Sequence, residues 1–422
     1  MRRQVEGSRA IAETVARCGP DVVAAYPISP QTHIVEALSD LVELGMAGRC
    51  EYLMVESEFG AMSACIGASA AGGRAYTATA SQGLLFMAEA LPNASGLQLP
   101  IVMTVANRAL GAPINIWNDH SDAMSQRDAG WIQLFAESNQ AAVDLHVQAF
   151  ALAEQLSVPV MVCVDGFVLT HAMEAIDVPE QELVDAVLPP LQPAQCLDPA
   201  APITIGAMVG PEAFTEVKFL EAHRQLRALD AVQEVADRFH AASGRDSGGL
   251  TSSYRLEDAD VVVVALGSVL GTAADVVDEL RDEGVPAGTL GITCFRPWPF
   301  DEVREALAGA SQVIVLNRAL AVGSGSILGQ DVRLTVSGGP TTVHDVVVGL
   351  GGRPVTRHML RRLIEDVRAG RISDHALTFP DLDVETVSKE LARTVDGADG
   401  AALAGAVLGQ LATPWPAEEE ET

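Results

Sequence analysis

Asp21-Val22-Val23-Ala24-Ala25-Tyr26-Pro27-Ile28-Ser29-Pro30-Gln31-Thr32 decides the fold of this chain. A short β-rich run over 21–26 breaks into a loop whose two prolines fix the backbone. That loop lies at the carboxyl end of a strand, where parallel sheets present loops to ligands. Further apolar, β-branched runs at 51–55, 74–80, 100–106 and 158–165 are predicted strands. Helical patterns such as 11–18 and 57–71 lie between them, the alternation of an α/β fold with a parallel sheet covered by helices on both faces.

The helical pattern at 57–71 is crowded with glycine, alanine and serine, so few side chains project from it and a strand, a helix or a ligand can approach closely. The Gly/Ser/Asp stretch 243–249 is predicted to be a flexible linker. After it a second α/β series opens on the wholly apolar run 260–266, expected of a central parallel strand. Strands are predicted at 285–292, 312–317 and 341–347, and helices at 272–281 and 300–308. The acidic end, Glu418-Glu419-Glu420-Glu421-Thr422, is predicted to be disordered. No internal repeat is evident.

With 422 residues the chain is too long for one ordinary core. Hydrophobic residues make up 48% and charged residues 20%, and no uninterrupted apolar run reaches the roughly eighteen residues of a membrane span. Met1-Arg2-Arg3-Gln4-Val5-Glu6 lacks the apolar core of a signal peptide, so a cytoplasmic location is expected. The six cysteines are scattered without CxxC spacing, which argues against a zinc or iron–sulfur site built from them. A formal charge of −29 opposes binding to nucleic acid or anionic membranes.

Three positions stand out chemically. Ser29 sits in the proline-fixed loop, either as a substrate hydrogen-bond donor or as part of a helix N-terminus shaped by prolines. Glu58 opens the small-residue helix, where it is either a first-turn carboxylate favoured by the helix dipole or a cofactor ligand. Arg108 follows the strand at 100–106, suited to a substrate carboxylate or to a structural salt bridge. The polar stretch Asn115 to Asp122 offers metal ligands, an acid or base in His120, or a Ser/His/Asp arrangement, and is read first as a loop that shapes the site. Gly267-Ser268-Val269-Leu270-Gly271 lacks GxGxxG and phosphate-loop spacing and is read as a tight strand-to-helix turn.

YPISPQT at 26–32, VESEFGAMSACIGASAAGGRAYTATASQGLLFM at 55–87, NRALGAPINIWNDHSDAMSQRDAGWIQLFAE at 107–137 and VDGFVLTH at 164–171 together resemble the α subunit of the pyruvate:ferredoxin oxidoreductases. The resemblance runs in the family's order through most of the first 175 residues and is weaker beyond. It implies a thiamine-diphosphate-binding domain of pyrimidine type over 1–243, a transketolase C-terminal-like domain over 254–375, and a C-terminal extension over 376–422. By the same resemblance Glu58 holds the aminopyrimidine of thiamine diphosphate, and Arg108 and Ser29 bind the substrate. Ser29 replaces the family's usual threonine, keeping the hydroxyl and losing a methyl worth no more than about 1 kcal/mol. Phe59 stands where many relatives carry histidine.

The resemblance places Mg2+ and the diphosphate on a β subunit, because the metal motif of that subunit is missing here, and [4Fe-4S] clusters on a ferredoxin-like δ subunit. A γ subunit completes the expected complex, which acts on pyruvate and coenzyme A and reduces ferredoxin. Rival readings are a sister enzyme for another 2-oxoacid and a scaffold subunit without catalysis. NRALGAPINIWNDHSDAM resembles the pyruvate type.

Overall fold

The computed structural model describes residues 2–394 and 412–413. The chain divides into two compact units: the first runs through Ser252 and regains Leu266–Ser268 and Ile292–Pro299, and the second holds the remainder.

The strands of the first unit are β1 (Arg3–Glu6), β2 (Val22–Ala25), β3 (Glu51–Met54), β4 (Ala75–Thr79), β5 (Ile101–Asn107), β6 (Ile132–Phe135), β7 (Val160–Asp165) and β8 (Met173–Ile176). Six of them form a parallel sheet in the order β3, β2, β4, β5, β7, β6. Cys294–Arg296 adds an antiparallel strand beside β6, while β1 and β8 pair separately as an antiparallel ribbon. Every residue of β4, β5 and β7 is buried, as their near-continuous apolar sequences require of central parallel strands.

The helices are α1 (Gly7–Arg17), α2 (Thr32–Glu43), α3 (Glu58–Ala70), α4 (Ser81–Phe86), α5 (Ala90–Gly96), α6 (Ser121–Ser125), α7 (Asn139–Leu156), α8 (Gln181–Val187) and α9 (Phe214–Ser243). Small side chains let α3 lie close on β2 and β4, with Ala61, Cys65, Ser69 and Ala70 buried in the contact. A two-pronged ion pair from Arg74, next to β4, to Glu154 of α7 fastens helix to sheet.

All five strands predicted in this half form, each within two residues of the expected ends. Short β6 and the ribbon β1/β8 were not anticipated, since four residues of strand carry too little periodicity to read. One expectation fails. The stretch 243–249 is not a loose linker: Gly244 ends α9 with φ of +70°, Arg245 bonds Asp144 through Nε and Nη2 at 2.9 and 2.7 Å, and Gln148 Nε2 donates to the Ser247 carbonyl at 2.9 Å.

The second unit has a sheet in the order 412–413, 377–378, 342–347, 312–317, 261–265, 287–292, with Thr251–Tyr254 at the far edge. Register is parallel from 287–292 across to 412–413. Its core gathers Val261, Val263, Val276, Val277, Ile314 and Leu363. Among the described residues no helix is long and apolar enough to cross a membrane. The acidic end predicted to be disordered lies outside the described residues.

Candidate active site

Parallel register sends the loops after β2, β3, β4, β5 and β7 to one end of the first sheet, and the strand order reverses between β2 and β4. That reversal is the position at which open parallel sheets bind ligands. The three residues singled out in the sequence lie there, following β2, β3 and β5.

Glu58 is the first residue of α3 and is buried. The preceding Ser57 caps the helix by accepting the Gly60 amide proton at 3.1 Å, and Glu58 stands in the first turn, where the helix dipole favours its charge. Its carboxylate faces Gly83 in α4. A β-carbon built on Gly83 would lie 2.7 Å from Glu58 Oε1 and 2.5 Å from Thr79 Oγ1, so only glycine lets both side chains pack this closely on α4. The Thr79 hydroxyl is buried and has no hydrogen-bond partner.

Arg108 lies just beyond β5 and is also buried. Its Nη1 donates to the Ser29 carbonyl at 2.9 Å and its Nε to the Asn115 carbonyl at 3.2 Å. Neither acceptor is charged, and among the described residues no carboxylate forms an ion pair with this guanidinium; the structural salt bridge considered from sequence is not made. Burial pulls its pKa below the ordinary value, while the charge of Asp122 acts the other way. The Ser29 carbonyl thus meets Arg108 directly, and the Ser29 hydroxyl is left exposed in its loop.

Asp122, inside the polar stretch, organises the site. Its Oδ2 accepts from the backbone amides of Ser81 and Arg108, each at 2.9 Å, and its Oδ1 accepts from Asn107 Nδ2 at 2.8 Å and the Ala123 amide at 2.7 Å. One carboxylate therefore joins the end of β5 to the start of α4, the helix that carries Gly83. Full burial pushes its pKa up to about 6, against the pull of those four donors. Ser81 is held with φ of +50°, and its hydroxyl donates to the Ala109 carbonyl at 2.5 Å. Strained backbone of this kind for a residue other than glycine collects at functional sites.

Other polar residues of the stretch have protein partners, except Asn118, whose buried side-chain amide finds none among the described residues. His120 Nε2 lies 2.7 Å from Asp165 Oδ1 at the end of β7. Asp165 Oδ2 accepts from the amide of Ser268 at 3.0 Å and from its hydroxyl. Serine and histidine thus both address the aspartate, which is not the order a nucleophilic triad needs. Gly267, with φ of +72°, turns tightly against Asp165, as its reading as a strand-to-helix turn required.

Sequence reading missed Gly83, Thr79, Ser81 and the organising role of Asp122. The clue available was Ser81-Gln82-Gly83 directly after a predicted strand.

Residues 13–237 match the family model described as pyruvate flavodoxin/ferredoxin oxidoreductase, thiamine diphosphate-binding, and residues 259–360 match pyruvate:ferredoxin oxidoreductase core domain II. The chain is 49% identical over 322 residues to the pyruvate synthase subunit PorA of Methanosarcina barkeri, covering 76% of this chain and 80% of that one. The chain belongs to the pyruvate:ferredoxin oxidoreductase family. A more distant member, the ketoisovalerate oxidoreductase subunit VorA of Pyrococcus abyssi, is 40% identical over 329 residues, 78% of this chain and 83% of that one. The fold is also that of a 2-oxoglutarate:ferredoxin oxidoreductase from Magnetococcus marinus, solved with 2-oxoglutarate, coenzyme A and succinyl-CoA bound: TM-score 0.67 at 19% identity, over 86% of this chain and 65% of that one. Within the family fold, Glu58, Arg108 and Ser29 all sit at the carboxyl ends of the strands of the domain whose model is described as thiamine diphosphate-binding.

Proposed function

We propose that this chain is the α subunit of a pyruvate:ferredoxin oxidoreductase, converting pyruvate and coenzyme A to acetyl-CoA and carbon dioxide and passing the electrons to ferredoxin. The observation that carries the reading is a buried arginine with no carboxylate partner, Arg108, braced on the Ser29 loop in the same sheet end as the buried Glu58. A planar guanidinium held by two neutral carbonyls keeps its remaining donors for a small carboxylate such as that of pyruvate. Glu58 suits the aminopyrimidine of thiamine diphosphate: it is a buried carboxylate at the ligand-facing end of the sheet, packed on Gly83 beside the unpaired Thr79 hydroxyl.

When bound, the cofactor supplies an electron sink for the carbon that loses carbon dioxide. Glu58 would hold the aminopyrimidine and share a proton with its ring nitrogen. Arg108 orients the substrate carboxylate and the Ser29 hydroxyl donates to the substrate oxygen, so that both hold pyruvate in one pose.

A partner chain completes the site. Met54, Phe59, Phe86, Ile114, Trp117 and Val168 are exposed after these same strands, and Phe59 stacks on Phe86 with ring centroids 6.4 Å apart. Large apolar side chains gathered on one rim mark an interface. The partner bringing Mg2+ and the diphosphate site is a β subunit, with γ and δ subunits supplying the rest of a cytoplasmic complex and the [4Fe-4S] clusters.

The test is viologen reduction by the co-expressed complex, with pyruvate and coenzyme A omitted in turn, beside the Glu58→Gln complex. Reduction should require both substrates and fall at least about 100-fold in the variant. Turnover of a different 2-oxoacid would move the chain to a sister enzyme, and no turnover by an intact, cluster-loaded complex would leave a scaffold.

A further inference from the structure

Three side chains outside the constellation above converge in the first unit. Glu6 ends β1 and precedes α1, His33 is in the first turn of α2, and His171 follows β7. His33 Nδ1 lies 2.6 Å from Glu6 Oε1, and the two imidazole rings stand 4.4 Å apart, tilted by 33°. One ligand atom from each of the three lies within 4.8 Å of the other two. Only nine histidines occur in the whole chain, and two of them meet here beside a carboxylate.

The surroundings fix the orientation of one of these rings. His171 Nδ1 is 2.8 Å from the hydroxyl of Thr170, which is itself fully buried and accepts from the Phe167 amide at 2.8 Å. The Phe167 ring flanks His171 at 4.7 Å. In the tautomer whose Nδ1–H donates to that hydroxyl, the lone pair of Nε2 is left for a ligand bond, the arrangement by which an outer hydrogen bond orients a metal-binding ring. His33 and Glu6 retain partial exposure and can adjust.

We infer that Glu6, His33 and His171 form a binding site for a divalent ion of the zinc class, with water completing the coordination. Two imidazole nitrogens and one carboxylate oxygen suit Zn2+ or Co2+ and are a poor set for Mg2+ or Ca2+, which prefer oxygen. Bonds of about 2.0–2.1 Å place neighbouring ligand atoms somewhat over 3 Å apart in a tetrahedron, within reach of the present spacing by small side-chain rotations. The ion would join the starts of α1 and α2 to the loop after β7. His33 is four residues beyond Ser29, so the ion would also steady the substrate loop from its far end. The site stands on these residues alone and does not depend on the proposed reaction.

The test uses the purified full chain with Cys196→Ser, which removes the one thiol that is not buried. After dialysis against chelator, zinc is titrated by calorimetry and cobalt by its visible absorption. One ion should bind per chain and raise Tm. His33→Ala and His171→Ala should each weaken binding at least about tenfold and abolish the cobalt spectrum. Glu6→Gln, exposed enough to leave the fold intact, should weaken zinc without changing Tm of the metal-free chain. If the parent chain takes up no zinc, or binds it no more tightly than these variants do, the three residues are only a hydrogen-bonded pair beside a second histidine.

Discussion

Replacing Gly83 by alanine tests the close contact of Glu58 and Thr79 on α4, beside which the proposed function sets the cofactor ring. Within a helix the change should help by about 1 kcal/mol, because alanine costs less conformational entropy than glycine. The new methyl, however, would sit 2.5 Å from Thr79 Oγ1, 2.7 Å from Glu58 Oε1 and 2.9 Å from Glu58 Cγ. Ordinary contact requires both side chains to retreat by the better part of an ångström, a strain of about 1–3 kcal/mol. The two effects nearly offset, so urea unfolding should show a net loss of no more than about 2 kcal/mol. Activity should suffer far more: a displacement of about 1 Å in a positioning group can lower turnover 100-fold. Gly67→Ala, on α3 with nothing within 4 Å of the added carbon, is the control, and should stabilise the chain slightly and leave activity unchanged. Viologen reduction at graded thiamine diphosphate measures the outcome. Activity within twofold of wild type in Gly83→Ala, with the same cofactor requirement, would refute the placing of the ring against Glu58.

Arg108→Lys keeps a charge but cannot reach both the Ser29 and Asn115 carbonyls, and kcat/KM for pyruvate should fall by about 10- to 100-fold, read from initial rates. Asp122→Asn leaves one oxygen for four donors, so two of them lose an acceptor; unfolding should report a loss of about 2–4 kcal/mol at pH 7. Because folding raises the Asp122 pKa from 3.8 to about 6, the folded chain holds that proton more tightly than the unfolded one. Its stabilising contribution is therefore full below pH 3.8 and lost as pH rises through about 6, so the gap in stability between wild type and Asp122→Asn should narrow with rising pH across that window in thermal melts. Phe86→Glu changes an exposed side chain, so the chain should stay folded within about 0.5 kcal/mol but fail to co-purify with its partner subunits.

The legible parts of this chain were those written in periodicity and in long apolar runs. β5 and β7 were predictable because burial on both faces leaves Ile101–Asn107 and Val160–Asp165 almost no choice but apolar residues. The start of α3 was visible from Ser57 and Glu58, but which of the two serves the helix was not, since either side chain can cap and only the geometry shows Ser57 doing so. The close contact at Gly83 was hidden for a different reason. Its value lies in Thr79 and Glu58 arriving from two other elements, and sequence neighbours of Gly83 say nothing about that meeting. The linker reading of 243–249 erred because glycine and serine permit disorder without requiring it, and Arg245 finds a buried aspartate a hundred residues back along the chain.

Electrostatics give Arg108 its place in the site. In a chain of net charge −29 an arginine could easily have been neutralised, yet the nearest organising carboxylate, Asp122, spends its oxygens on amides and on Asn107, including the backbone amide of Arg108 and not its guanidinium. Burying a cation among neutral carbonyls is unfavourable, and its lowered pKa expresses that cost. The cost is offset only when an anion binds. A small carboxylate entering beside Ser29 would be attracted by a guanidinium that makes no ion pair among the described residues, while Asp122, held by four donors, anchors the main chain of Arg108. On the proposed function, affinity for pyruvate would be stored in the folded chain as an interaction left unmade.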